Sequence, residues 1–229
     1  MPNKKCALLY AFILIMLRCC HAIAGPDEDG GYWFNLRMQG GLPAPDFYWD
    51  VDINPRYRNE GRHIDTLYLR PAVFYKTDPN TSLWLGRDQI IGHPDGKSAY
   101  HESRWWQQYQ HQFEPFHSFT LTNRTRLEER RREGFNDTGH RLRQMLKITT
   151  PILHNPALSL VVSDEVFINV DQADWGAKRG LDQNRIFIGV NWKIDKTSIL
   201  ETGYLNQFVN KATQNLENHV ISTTLGFKF

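Results

Sequence analysis

Residues Ile221–Phe229 read ISTTLGFKF. Ile221, Thr223, Leu225, Phe227 and Phe229 fall on one parity, and Ser222, Thr224, Gly226 and Lys228 on the other. A period of two is the signature of a strand with one apolar and one polar face. The alternation runs to the last residue and ends on an aromatic. Leu225, Phe227 and Phe229 have the form of the C-terminal signal that the outer-membrane barrel assembly machinery reads on a final strand.

The same period recurs upstream. Trp49, Val51, Ile53, Pro55 and Tyr57 alternate with Asp50, Asp52, Asn54 and Arg56, and Ile186, Ile188, Val190, Trp192 and Ile194 alternate with Arg185, Phe187, Gly189, Asn191 and Lys193. Further candidates lie at roughly 32–38, 63–76, 81–91, 101–113, 117–131, 139–152, 157–170 and 198–209. No stretch carries a 3.6-residue apolar stripe. The connections 76–82, 114–117, 154–157 and 195–197 are tight and rich in turn formers, whereas 92–100, 132–138, 171–182 and 210–217 are longer and polar. Short turns on one side and long loops on the other fit an all-β, antiparallel, up-and-down transmembrane barrel. Because such barrels use even numbers, the expectation is ten strands over residues 47–229, with a short N-terminal segment at 25–46 and twelve strands as the alternative.

Residues 1–24 read as a cleavable signal. Lys4 and Lys5 precede the apolar run Cys6–Leu17, and Ala22-Ile23-Ala24 offers a cleavage site. Twelve apolar residues are too few for a membrane-spanning helix, which needs about 20. Cys19 and Cys20 would suit a lipoprotein, but Arg18 stands where such a signal carries a small residue. Without the signal the chain has 27 − 3 = 24 basic against 25 acidic residues, and all three cysteines are gone. That balance gives no electrostatic case for nucleic acid. It also leaves no thiolate for a disulfide or a metal. A chain this polar, once exported, is either soluble or a barrel whose lipid face uses every second residue. The expected location is the outer membrane of a Gram-negative bacterium, with membrane lipids and the assembly machinery as partners. Seven Trp, nine Tyr and thirteen Phe are available for interfacial girdles. Trp33, Phe47, Tyr48, Tyr57, Tyr75, Tyr100, Phe113, Phe116 and Phe208 are the aromatics near strand ends.

If the apolar parity faces lipid, the other parity lines the lumen. It collects Arg124, Arg126, Glu128, Arg130, Arg141, Arg143, Glu165, Arg185 and Glu201, together with Asp50, Asp52, Arg56, Arg70, Glu102, Arg104 and Lys147. A barrel of about ten strands is narrow enough for such side chains to meet. The expectation is a charge-paired lumen of structural or narrow-pore, loosely porin-like, type. The alternative is a binding site for a small hydrophobic or anionic molecule around Arg124, Arg126, Glu128 and Arg143. Asp164 breaks the pattern by falling on the parity of Val162, Val166 and Ile168. Its position calls for a bulge or a shifted register.

No catalytic set emerges. His101-Glu102-Ser103 and His219 with Ser222 are the only close His/Ser pairs on strands, and their parities separate the partners a nucleophile would need. The histidines lack metal-ligand spacing, and there is no glycine-rich phosphate loop. The expectation is a non-enzymatic protein without metal or cofactor, with a lipid-modifying outer-membrane enzyme as the lesser alternative.

The runs Arg126-Leu-Glu-Glu-Arg130, Ser163-Asp-Glu-Val-Phe167, Leu181-Asp-Gln-Asn-Arg185 and Gly203-Tyr-Leu-Asn-Gln207, in that order before a terminal aromatic strand, resemble the bacterial outer-membrane family called domain of unknown function 2490. The resemblance spans roughly 32–229. It implies a barrel-forming outer-membrane protein and brings no catalytic residues. Among the motif residues, Arg126, Glu128, Glu129, Asp164, Glu165, Asp182, Gln183, Asn184 and Arg185 are candidates for a shared lumenal or loop cluster.

Overall fold

The computed structural model describes residues 27–229 except 59–60, 95, 97, 153–154 and 212–213. The signal expected over residues 1–24 lies outside the described residues. Eleven strands make up the fold: β1 (Asp27–Gly41), β2 (Phe47–Arg58), β3 (His63–Asp78), β4 (Thr81–Gly92), β5 (Tyr100–Gln112), β6 (Thr120–Arg132), β7 (Thr138–Ile152), β8 (Asn155–Asn169), β9 (Gly180–Lys193), β10 (Ser198–Val209) and β11 (Leu216–Lys228). Each strand pairs with its sequence neighbours, and β1 closes the barrel against β11. All sequential pairs are antiparallel, whereas the closing pair is parallel, with Tyr32 beside Ile221 and Leu36 beside Leu225.

The all-β barrel matches the alternation, but the strand count is eleven rather than ten. The extra strand is β1, in the segment 25–46 expected to precede the barrel. Glycines 30, 31, 40 and 41 dilute its alternation at both ends. Its parallel partner lies at the far end of the chain, where no local signal points to it.

The ends at which β1 passes to β2, β3 to β4, β5 to β6, β7 to β8 and β9 to β10 lie at one rim, with the C-terminus. Those at which β2 passes to β3, β4 to β5, β6 to β7, β8 to β9 and β10 to β11 lie at the other, where β1 begins and the longer loops 133–137 and 170–179 stand. These two loops are clasped together. The Asp174 carboxylate accepts from the backbone N–H of Asn136 at 2.9 Å, and the Asp137 carboxylate accepts from the N–H of Asp174 at 2.8 Å. Trp175 meets Phe135 edge-on above them.

The wall is turned inside out relative to a soluble barrel. Leu69, Val73, Leu85, Trp105, Leu127, Ile188, Val190 and Ile221 are exposed on the outer face, whereas Asp50, Asn54, Asp88, Glu102, Arg104, Arg126, Glu128, Arg141 and Glu165 are buried inside. Apolar surface left facing outward on this scale is favourable only in an apolar medium or against a partner. The arrangement is that of a membrane-associated barrel. At the short-turn rim Phe47 packs on Tyr75, and Trp49 stacks on Phe229, whose N–H donates to the carbonyl of Gln39 at 2.8 Å. Leu225, Phe227 and Phe229 follow one another on this outer parity. Three of the aromatics expected in a girdle point inward instead: Trp33, Tyr48 and Tyr100 share the parity of Asn35, Asp50 and Glu102.

Candidate functional site: a charged lumen

Inward-facing side chains arrive in layers. Nearest the short-turn rim, Tyr48, Phe74, Trp84 and Trp106 form an aromatic layer, with Phe74 stacked on Trp84 at 3.9 Å between centroids. Gly86 makes room for it, because a β-carbon there would collide with the Trp106 ring. The Trp106 indole N–H donates to Asp88 at 2.6 Å, so its one polar atom is satisfied while the ring fills space.

Above this layer runs a connected ion-pair network centred on Glu128, which is fully buried. Arg141 donates to Glu128 Oε2 through Nε at 2.9 Å and Nη2 at 2.6 Å, and Arg143 donates to Oε1 through Nη1 at 2.6 Å. Arg143 also reaches Glu165 through Nε and Nη2, at 2.9 and 2.8 Å, and Arg124 reaches the same carboxylate at 2.7 Å. On the β5 side Arg104 and Arg130 both donate to Glu102, at 2.6 and 2.8 Å, and Arg104 stands 3.9 Å from Glu128. Cross-strand pairing explains the assembly. Neighbouring strands present Arg104 beside Arg130, Glu128 beside Arg141 and Arg143 beside Phe167 at one level, so each carboxylate sits among guanidinium forks. Buried charges require such partners, because isolated ones are too costly to hold.

Eight of the nine lumenal candidates are brought into or beside this layer. Arg126 is held by two hydrogen bonds to Gln108, at 2.9 and 2.7 Å, and lies 3.7 Å over the Trp106 ring. Arg185 borders the layer, as the cross-strand neighbour of Glu165 and with its guanidinium 4.5 Å from the Phe167 ring. Glu201 stands apart toward the short-turn rim, paired with Lys147 at 2.7 Å.

Asp182 is the member that parity does not place. The register of β8 against β9 shifts between Phe167 and Ile168. That bulge lets Asp182 and Gln183 both turn inward, and Asp182 takes the remaining arm of Arg141 at 2.7 Å. Asp164 is not re-aimed. It pairs in unbroken register with Leu146 and Ile186, stays on the outer face and accepts from Asn184 Nδ2 at 2.6 Å. Glu129 likewise lies outside, paired beside Trp105 and His140, and takes no part in the lumen.

A second chain of hydrogen bonds borders the long-loop mouth. Arg185 Nη2 donates to Gln183 at 3.0 Å, Gln207 to Gln183 at 2.8 Å, Asn218 to Gln207 at 3.0 Å and Arg58 to Asn218 at 3.1 Å. Arg58 ends the chain against Asp29 and Asp65, at 3.1 and 3.5 Å. Among the described residues no group of three or more His, Cys, Asp or Glu is placed to hold a metal ion. His219 and Ser222 are on opposite faces, since Ser222 pairs with inward Trp33 and His219 is hydrogen-bonded to outward Tyr204 at 2.6 Å.

A closed wall, apolar outside and ion-paired within, defines the class as a charge-filled β-barrel. The chain belongs to the family described as protein of unknown function (DUF2490), which it matches over residues 30–218. It is similar to an uncharacterised protein of Methylorubrum extorquens strain AM1, at 30% identity over 224 residues and 97% of each chain. No solved structure matches it. The four runs that carry the family resemblance supply Arg126, Glu128, Arg130, Glu165, Asp182, Arg185 and Gln207 to these two connected networks.

Proposed function

We propose that this protein is an outer-membrane β-barrel of structural or narrow-pore type, exported by its N-terminal signal and inserted by the barrel assembly machinery. The observation that carries the reading is the inversion of the wall: Ile188, Val190 and Ile221 face out while Glu128, Arg141 and Arg143 are sealed inside. A soluble protein would lose free energy on both counts. An open porin keeps its lumen wet. Here Phe167, Asn54 and Glu128 have no solvent exposure, which supports a lumen filled by its own side chains. The reading assigns the protein no catalytic step, metal or cofactor.

The test has two parts. Outer-membrane fractions run on a gel with and without boiling should contain the protein and show a heat-dependent shift in mobility. The purified barrel in a planar bilayer should then give little or no conductance. Recovery of the chain from the soluble periplasm, without a mobility shift, would overturn the membrane reading. Stable large-conductance openings would overturn the filled lumen alone.

A further inference from the structure

Going beyond the filled barrel, we propose that the long-loop mouth of the lumen is a binding site for a small free anion, a carboxylate or a phosphate monoester, held by Arg56 and Arg185. A cavity of about 260 Å³ opens there, lined among others by Trp33, Arg56, Tyr68, Arg185 and Asn218.

The two arginines differ from those below them. Each guanidinium in the central layer contacts a carboxylate or, for Arg126, a doubly bonded glutamine. Arg56 and Arg185 have no carboxylate in salt-bridge reach among the described residues. Among the described residues Arg56 donates to Asn54 Oδ1 at 2.8 Å and to the Tyr68 hydroxyl at 3.2 Å, and no acceptor meets its Nη2. Among the same residues Arg185 has one bond, to Gln183, and its buried Nε has no partner. Glu165, the cross-strand neighbour of Arg185, is turned to Arg124 and Arg143.

Both cations are held over the same indole. The Arg56 guanidinium lies 3.7 Å from the Trp33 ring and that of Arg185 5.0 Å from it. Tyr68 on one side and Phe167 on the other hold them there, at 4.2 and 4.5 Å. Stacking engages the flat faces and leaves the in-plane N–H edges free to donate. Two like charges on one indole ring, with a buried donor unspent, repel each other and lose hydrogen bonding. An anion spanning both edges removes both penalties, as guanidinium forks do for carboxylates and phosphates. The site faces the lumen, so a lipid headgroup on the outer face cannot reach it. Solutes arriving from the long-loop side can.

The experiment titrates the full barrel, folded in phosphate-free detergent micelles at constant ionic strength, with inorganic phosphate and separately with acetate. Calorimetry and the phosphorus resonance line width report binding. Saturable binding is expected, weakened about tenfold or more in Arg56→Gln and in Arg185→Gln, and unchanged in Lys193→Gln at the opposite rim. Arg185→Lys keeps the charge but loses the fork, so it should fall between wild type and Arg185→Gln. The boiling-dependent gel shift certifies that each variant is folded. If Arg56→Gln does not fold, the Arg185 pair decides the outcome. Absence of saturable binding to wild type overturns the proposal, as does binding that both arginine variants leave intact. Neither result touches the membrane assignment, which the fractionation tests separately.

Discussion

Glu128 and Asp164 are both acidic residues on mid-barrel strands, yet their surroundings predict opposite outcomes on substitution. Glu128 takes three hydrogen bonds from two arginines in a site without solvent. Glu128→Gln would leave Arg141 and Arg143 with a neutral partner and excess positive charge, and removing one member of a buried pair costs about 3–5 kcal/mol. The folding equilibrium in vesicles, followed by urea titration, should show that loss. Asp164 faces outward, with Asn184 as its hydrogen-bond donor. In the membrane setting proposed above, Asp164→Leu should stabilise the barrel by roughly 1–2 kcal/mol, because a carboxylate near mid-wall is disfavoured there. An unchanged or lower stability in the same titration would show that this polar pair has a use on the outer face. Glu128 lies in the lumen, on the parity that alternation assigns to it, whereas Asp164 stays on the outer parity with neither the bulge nor the shifted register that its position called for. The bulge expected to rescue Asp164 occurs three residues later, where it serves Asp182 instead. Alternation shows which face a residue takes but not which neighbour it meets. For that reason Arg56 and Arg185 could not be separated in sequence from the paired arginines.

The connections between strands divide into self-contained turns and loops that need one another. In the turn between β9 and β10, Asp195 Oδ1 accepts from the N–H of Thr197 at 2.7 Å, the Thr197 hydroxyl at 2.8 Å and the N–H of Ser198 at 2.8 Å. These bonds, from the Thr197 backbone first, hold the Asp195 carboxyl below its usual carboxylate range. A pKa depressed by folding contributes stability above the unfolded value of about 3.9, and that contribution is lost as pH falls through the folded one. The protection of the Thr197 and Ser198 amides, measured as exchange relative to the intrinsic rate at each pH, should therefore fall on acidification through that window, and Asp195→Ala should abolish that fall. Asp171 is held low as well: burial pushes it up, but hydrogen bonds from the backbone N–H and ring of His140, at 2.7 and 2.6 Å, outweigh that. At the long-loop rim, Asp137 and Asp174 each accept from the other's loop. Asp174→Ala should open both loops to protease together, with cuts near 133–137 and 170–179 appearing at similar rates. The turn chemistry of 195–197 was readable because Asp, Lys and Thr act within one turn. The clasp between 133–137 and 170–179 was not, because its partners are thirty-seven residues apart.

At the scale of the whole molecule, the alternating runs and the terminal aromatic strand identified a barrel, and the alternation of short and long connections sorted its loops onto two rims. They failed on parity of count. An even number follows if closure is antiparallel, and nothing in β1 or β11 alone announces that they run side by side in the same direction. Eleven strands place the start of β1 and the end of β11 at opposite rims. In the membrane setting proposed above, a short epitope inserted ahead of Asp27 and one appended after Phe229 should accordingly be labelled from opposite sides. Labelling of both from the same side would exclude the parallel seam.

That seam bears on how such a chain can be rearranged. In a barrel with both ends at one rim, the termini can be tied by a short loop and new ends cut elsewhere, so the ring of hairpins has no privileged starting point. Here a covalent tie would have to travel the height of the wall, about 50 Å for a fifteen-residue strand before tilt. It could do so only by threading the lumen, which the arginines occupy, or by entering the wall as a twelfth strand. The order of strands in this chain therefore cannot be permuted without changing their number.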